Sequence, residues 1–64
     1  METHGLLRYF NYSHLPEHLK LVSKPFYELA VLLCDLPDGS EKSVAFRKLL
    51  ESKDAAVRAA LDKL

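Results

Sequence analysis

The stretch Leu36-Pro37-Asp38-Gly39-Ser40 divides the chain into two segments with helical patterning. Proline and glycine close together, flanked by Asp and Ser, form turns and end helices. In each flanking segment, apolar residues recur at spacings of three and four, which is typical of one face of a helix. The sequence therefore predicts two helices joined by a short turn, a helical hairpin.

The helix after the turn is predicted from about Glu41 to the C-terminus. Two capping arrangements are open: Asp38 with Glu41 fits a capping box, and Ser40 alone could cap the next turn. The second half of this helix is rich in alanine, which lets another helix approach closely. Its apolar positions are Val44, Phe46, Leu49, Leu50, Ala56, Val57, Ala60, Leu61 and Leu64.

The helix before the turn is predicted to begin around Pro16, because proline suits the first helical position. Pro25 lies inside it and should kink or break it near Leu21 to Ser23. The apolar positions of this helix are Leu15, Leu19, Val22, Phe26, Leu29, Ala30 and Leu33.

The N-terminal segment adds a short helix over residues 2–9, with Leu6, Leu7 and Phe10 as its apolar side. Residues 10–14 then read as a connector without helical periodicity. The whole chain, residues 1–64, is thus predicted to be one all-α domain: a short N-terminal helix followed by a kinked helical hairpin.

Chain length predicts self-association. A chain of 64 residues buries only about 60% of the surface of its unfolded form, so small folds usually need a staple. Cys34 is the single cysteine and lies in an apolar run, so we expect a buried thiol and no internal disulfide. We therefore expect an interlocked homo-oligomer to supply the additional stabilisation of the fold.

Charge and hydropathy exclude several classes. Nine basic and nine acidic residues balance, whereas binders of polymeric nucleic acid normally carry a basic excess. The longest apolar stretch, residues 29–34, is far shorter than the ~20 residues of a membrane span. The N-terminus has no signal-peptide pattern, so we expect a cytoplasmic protein.

Catalysis lacks candidates in this sequence. His14-Leu15-Pro16-Glu17-His18 matches a zinc-peptidase pattern, but Pro16 makes it a helix start that leaves His14 outside. No nucleophile–base pair, glycine-rich phosphate loop or cysteine cluster is present. The sequence predicts neither an enzyme nor a metal or other cofactor.

Several polar residues remain as candidates for ligand binding. Lys20 and Lys24 either form a solvated strip of ion pairs with Glu17 and Glu28 or bind an anion, with Lys24 nearest to the proline. Tyr12 either packs on the following helix or stacks on a base.

Further candidates lie in the connector and at the start of the last helix. Ser13 and His14 neighbour Tyr12 in the connector. Ser40 and Lys42 open the last helix, whose free N–H groups either attract an anion or are simply capped.

The sequence resembles the phage anti-CBASS sponge proteins. The similarity covers residues 10 to about 61, and its most specific part is the run from Ser40 to Glu51. It comprises Phe10-x-Tyr12-x-x-x-Pro16, Glu28-Leu29-Ala30, Leu36-Pro37 and Ser40-Glu41-Lys42-Ser43-Val44-Ala45-Phe46-Arg47-Lys48-Leu49-Leu50-Glu51.

The resemblance implies a compact helical oligomer, typically a hexamer, that sequesters the cyclic oligonucleotide signals of bacterial antiphage defence. Cyclic dinucleotides such as cGAMP would bind between interlocked protomers, with Tyr12 on a base and Lys24 on phosphate. Some members also bind cyclic trinucleotides. Here Ser40 stands where the family often has an arginine, and residues 55–57 stand where it has a Trp-Ala-Asn segment. The resemblance therefore does not decide whether this chain has a trinucleotide pocket. The alternative is a helical protein–protein interaction module.

Overall fold

The computed structural model describes residues 5–62, and they form three helical elements. A 3₁₀ helix covers Gly5–Phe10, helix α1 covers Glu17–Leu33 and helix α2 covers Ser40–Asp62. No strand occurs within these residues. The predicted all-α class, with a short N-terminal piece followed by two helices, is therefore confirmed.

The N-terminal element is tighter than the predicted helix over residues 2–9. It is a 3₁₀ helix that begins at Gly5 and ends at Phe10, and residues 2–4 lie outside the described part of the chain. Phe10 therefore belongs to this element and not to the connector. Short 3₁₀ pieces commonly serve as links between longer elements, and this one carries a large apolar side chain to its end.

Helix α1 begins close to the predicted position. Pro16 has an extended backbone (φ −57°, ψ 156°) and occupies the capping position, so it lies just outside the helix and not at the first helical residue. Its carbonyl accepts the N–H groups of Leu19 and Lys20, both at 2.9 Å. The Leu19 N–H is one of the groups that a helix start leaves unpaired, and the Lys20 N–H makes the first regular hydrogen bond of the helix.

The prediction of a break between Leu21 and Ser23 is wrong. Helix α1 runs through Pro25 as one 17-residue element. Proline cannot donate to the carbonyl four residues earlier, which belongs to Leu21. Leu21 is 73% exposed, so water can satisfy that carbonyl and the helix need not end. The predicted kink stays a prediction.

Gly39 lies between the two predicted caps of α2 and takes the capping position itself. Its carbonyl accepts the Ser43 N–H at 3.3 Å, and its φ of 153° suits glycine, which has no Cβ to clash. Ser40 is already helical, and Asp38 precedes the cap. Neither is the N-cap residue, so both predicted caps are wrong, while the predicted turn and the start of α2 are correct.

The core joins all three elements. Phe10 and Phe46 are fully buried, and their rings pack edge to face with centroids 6.3 Å apart. Ala30 and Cys34 of α1 complete the buried cluster. Cys34 is 8% exposed and its Sγ donates to the Ala30 carbonyl at 3.6 Å, so the predicted buried thiol is confirmed.

The buried faces are rotated relative to the predicted apolar stripes. Leu29, Val44 and Leu61 were expected inside but are between 39% and 48% exposed. Ser23 of α1 and Lys42 of α2 are buried instead. Apolar spacing identified the two helices, but it did not fix which edge of each stripe faces the neighbouring helix. Leu64 lies outside the described residues.

The hairpin is too thin to cover all of its apolar side chains. Its Cα atoms span 39 × 19 × 14 Å, and a single helix is about 10–12 Å wide, so the helices have no second layer above them. Leu21 and Leu32 consequently remain 73% and 65% exposed on α1. This residual apolar surface is consistent with the marginal core expected from the chain length.

Replacing Ser23 tests the packing of α1. The Ser23 hydroxyl is fully buried and has no hydrogen-bond partner among residues 5–62. A buried unpaired hydroxyl costs about 1–3 kcal/mol, and alanine also favours the helix slightly. Ser23→Ala should therefore raise the midpoint of thermal unfolding by several degrees, measured by circular dichroism.

The matched control for this substitution is Ser52→Ala. Ser52 is an exposed serine inside α2, so its replacement reports the helix-propensity gain alone. The gain at Ser23 should exceed the gain at Ser52. A lower midpoint for Ser23→Ala than for the wild type would mean that the Ser23 hydroxyl makes a stabilising contact, contrary to this account.

Candidate functional site

The candidate site is an open cavity beside the connector that contains two aromatic rings. Tyr12 and Tyr27 are both half-buried, and their ring centroids lie 5.6 Å apart at an interplanar angle of 63°. This cavity, called the tyrosine cavity below, has a volume of about 630 Å³. Its lining residues are Gly5, Leu7, Arg8, Asn11, Tyr12, Ser13 and Tyr27.

A side-chain turn in the connector holds Tyr12 in place. Asn11 Oδ1 accepts the Ser13 N–H at 3.1 Å and the Ser13 hydroxyl at 3.0 Å, which is the local pattern that Asn favours in turns. The Leu15 N–H then donates to the Tyr12 carbonyl at 3.1 Å. The backbone on both sides of Tyr12 is thus fixed by short-range hydrogen bonds, and its ring meets Tyr27 of α1.

Lys24 lies one helical turn before Tyr27. Residues three apart on a helix are neighbours, with Cβ atoms about 5–6 Å apart, so Lys24 flanks the aromatic pair along α1. Lys24 is exposed, and its side chain makes no ion pair or hydrogen bond with the residues that the structure describes. Lys20 differs: its Nζ lies 3.8 Å from Glu17 Oε1.

The strip of ion pairs expected along this face is therefore only half present. The pair between Glu17 and Lys20 exists, but Lys24 and Glu28 do not pair. Lys24 is thus an exposed cation one helical turn before Tyr27, and it does not line the cavity. Its role in ligand binding stays a prediction.

The structure separates His14 from Tyr12 and Ser13. Tyr12 and Ser13 line the tyrosine cavity, whereas the exposed His14 lines a different cavity between the connector and α2. His14 precedes α1 and His18 lies inside it, as expected from Pro16. Within residues 5–62, no group of three His, Cys, Asp or Glu side chains is placed to hold a metal ion.

Ser40 and Lys42 lie at the turn of the hairpin and do not line the tyrosine cavity. They line a third cavity of about 510 Å³ together with residues 36–39 and 41. Ser40 is exposed, but the Lys42 side chain is only 7% exposed. The two residues therefore belong to the hairpin turn and not to the site that contains Tyr12.

Lys42 has a structural role in this turn. Its Nζ donates to the Cys34 carbonyl at 2.9 Å and to Asp38 Oδ1 at 3.0 Å. Cys34 is the C-cap of α1, and the last turn of α1 contains no basic residue. A cation is favourable at the negative end of a helix. Lys42 supplies that cation from the first turn of α2 and so joins the two helix ends.

Sequence reasoning missed Tyr27, Arg8 and Asn11 as parts of the site. Tyr27 lies three residues after Lys24, and that spacing alone could have identified it. The Asn11-Tyr12-Ser13 order is a recognisable signal for a side-chain turn. Arg8 carried no such signal, because the 3₁₀ geometry that brings it to the cavity depends on tertiary packing.

Comparison of the chain with protein-family models, with curated proteins and with solved structures gives no match. In the part of the chain from Gly5 to Asp62, no helix is long and apolar enough to cross a membrane. The resemblance to the sponge proteins therefore stays a prediction, and the tyrosine cavity is the feature on which a functional proposal can be built.

Replacing Lys42 distinguishes a structural from a ligand-binding role. Lys42→Met keeps the length of the side chain but removes two charge-assisted hydrogen bonds, each worth about 1.5–3 kcal/mol. Urea denaturation followed by circular dichroism should show a loss of at least ~1.5 kcal/mol in the free energy of unfolding.

Lys48→Met serves as the control, because the Lys48 side chain is 72% exposed on the same helix. Surface substitutions of this kind usually change stability by no more than about 0.5 kcal/mol. Equal stability of the two variants would show that Lys42 does not join the helix ends, and would return it to the list of ligand-binding candidates.

Proposed function

We propose that this protein is a phage immune-evasion sponge. It binds the cyclic dinucleotides of bacterial antiphage signalling, such as cGAMP, in the cytoplasm of the bacterial host and releases them intact. The observation that carries the proposal is the open cavity in which Tyr12 and Tyr27 meet. The unpaired Lys24 lies one helical turn before Tyr27 on α1 and is not among the residues that line this cavity. The resemblance described above supplies the ligand class.

The aromatic pair supports recognition of a nucleobase. Stacking of a base on an aromatic side chain contributes about 1–3 kcal/mol and tolerates every base. Tyr12 lines the cavity next to the polar groups of Asn11 and Ser13, which can hydrogen-bond the edge of a base. A cavity volume of about 630 Å³ lies within the 300–1,000 Å³ typical of small-molecule sites.

Lys24 and Arg8 supply positive charge for the phosphates. Arg8 lines the cavity from the 3₁₀ helix, and Lys24 lies on α1 one helical turn before Tyr27. Charge-assisted hydrogen bonds to phosphate are roughly twice as strong as neutral ones. An aromatic platform with cations nearby matches a cyclic dinucleotide, in which riboses and phosphates alternate around one ring and each ribose carries a base.

Self-association completes the proposed site. The cavity is open in a single chain, and a two-fold symmetric ligand suits a two-fold interface in which each protomer contributes one Tyr12 and one Lys24. Leu21 lies one turn before Lys24 and is 73% exposed, so a copy packed on Leu21 would lie beside Lys24. A homo-oligomer, with a hexamer favoured by the resemblance, would bury this leucine.

Cyclic trinucleotides are a second class of ligand that the resemblance suggests. Ser40 occupies the turn where the family often has an arginine, and it lines the third cavity with Lys42. Because Lys42 is already engaged by Cys34 and Asp38, this cavity offers less free positive charge than the tyrosine cavity. Cyclic dinucleotides are therefore the preferred ligands in this account.

Substitution of Tyr12 tests the stacking role. Tyr12→Ala should weaken the binding of 3′,3′-cGAMP by about 1–3 kcal/mol because it removes a stacking platform. Tyr12→Phe keeps the ring and should bind nearly as well as the wild type. Isothermal titration calorimetry measures the binding, and circular dichroism on the same samples checks that the fold persists.

Substitution of Lys24 tests the phosphate contact. Lys24→Ala should weaken 3′,3′-cGAMP binding by about 1.5–3 kcal/mol and reduce its dependence on salt, while leaving helicity unchanged. Lys48→Ala, an exposed cation on α2, is the control and should bind like the wild type. Unchanged binding by a folded Lys24→Ala protein would remove Lys24 from the site and make Lys20 the next candidate.

A protein–protein interaction module is the second candidate function. The exposed Leu21 and Leu32 of α1 favour it, because an apolar helix face of this kind can dock onto another protein. A thermal-shift assay with a panel of cyclic nucleotides separates the two candidates. A specific ligand at 100 times its Kd stabilises the fold by about 2.7 kcal/mol, whereas a pure interaction module would show no shift.

A further inference from the structure

A second cavity lies beside the proposed dinucleotide site and shares Arg8 and Asn11 with it. It has a volume of about 440 Å³ and is formed by the 3₁₀ helix, the connector and the C-terminal half of α2. Its lining residues are Arg8, Tyr9, Asn11, His14, Leu15, Lys53, Asp54, Val57 and Arg58. Tyr12 and Tyr27 do not line it.

The side chains that line this second cavity, called the groove below, carry a net positive charge. Three of its side chains are cationic (Arg8, Lys53 and Arg58) and one is anionic (Asp54), which gives a net charge of +2 with His14 counted as neutral. The whole chain has a formal net charge of zero under the same convention. A groove lined by one sign of charge attracts counter-ions more strongly than the average surface does.

Lys53 pairs with Asp54, which is the only carboxylate among the described residues that line the groove. Its Nζ lies 3.0 Å from Asp54 Oδ1 and donates to the Tyr9 carbonyl at 3.0 Å. The Lys53 side chain is only 13% exposed, so its task is to hold the 3₁₀ helix against α2. With Asp54 paired in this way, the two arginines face the groove without a competing carboxylate from its lining.

The two arginines are suited to bind an anion. The Arg8 guanidinium lies 4.8 Å from the centroid of the Tyr9 ring, and its Nη2 donates to the Tyr9 hydroxyl at 2.8 Å. This contact orients the group and leaves most of its donors unused. The Arg58 side chain is exposed and makes no ion pair or hydrogen bond with residues 5–62.

We infer that this groove binds the terminal phosphate of a small phosphomonoester, such as a mononucleotide. A phosphomonoester carries a charge of about −1.5 to −2 at pH 7, which matches the net charge of the groove. Guanidinium groups bind phosphate oxygens in a forked geometry that lysine cannot reproduce. Each phosphodiester of a cyclic dinucleotide carries only a single charge, so the two arginines would hold a terminal phosphate more strongly than a phosphodiester.

Calorimetric titration of the full chain with AMP tests this inference. Inorganic phosphate and adenosine are titrated separately to learn whether the phosphate alone is bound. We expect AMP and inorganic phosphate to bind and adenosine not to bind. Arg58→Gln should weaken AMP binding at least about ten-fold, since one charge-assisted hydrogen bond corresponds to roughly that factor.

Lys48→Gln is the matched control, because it removes an exposed cation from α2 outside the groove and should leave AMP binding within two-fold of the wild type. Binding of 3′,3′-cGAMP should be the same in Arg58→Gln and the wild type. Three results would overturn the inference: no heat with AMP at millimolar concentration, equal losses in both variants, or loss of 3′,3′-cGAMP binding in Arg58→Gln.

Discussion

The edge-to-face contact between Phe10 and Phe46 is the interaction on which the rest of the structure depends. It buries both rings completely and attaches the 3₁₀ helix to the hairpin. Lys53 reinforces this attachment through the Tyr9 carbonyl, with its ammonium 6.0 Å from the Phe10 ring. Arg8 and Asn11 lie on either side of Phe10 and line both the tyrosine cavity and the groove, so both sites rely on this anchor.

Next to this aromatic contact, the turn of the hairpin depends on charge as well as on apolar burial. Lys42 crosses from α2 to the last carbonyl of α1, and Asp38 accepts a second hydrogen bond from the same ammonium. A thin two-helix fold can bury little apolar surface at its ends. The buried Lys42 ammonium, in the first turn of α2, donates to a carbonyl at the end of α1 and so fixes the hairpin without enlarging the core.

Local sequence rules predicted the elements of this fold well. Pro16 and the turn around Gly39 marked the helix boundaries within one residue or so, because proline and glycine act through their own backbone geometry. Long-range features were less predictable. The burial of Lys42 depends on a carbonyl eight residues away, and the persistence of α1 through Pro25 depends on which side of the helix faces solvent.

The candidate site was predictable to a similar extent. Tyr12 could be singled out from the sequence, and the structure adds Tyr27, whose ring meets that of Tyr12. Lys24 lies one helical turn before Tyr27 but does not line the cavity. The closeness of His14 to Tyr12 in the sequence did not predict which cavity His14 lines. The turn made by Asn11 sends Tyr12 and Ser13 to one side of the connector and His14 to the other.

The central claim is that two chains share one cyclic dinucleotide at the tyrosine cavity. Calorimetric titration of the wild-type protein with 3′,3′-cGAMP, combined with light scattering on the same sample, tests it most directly. The account predicts an oligomer that binds one ligand per two chains. A folded monomer that takes up no ligand, or one ligand per chain, would contradict it.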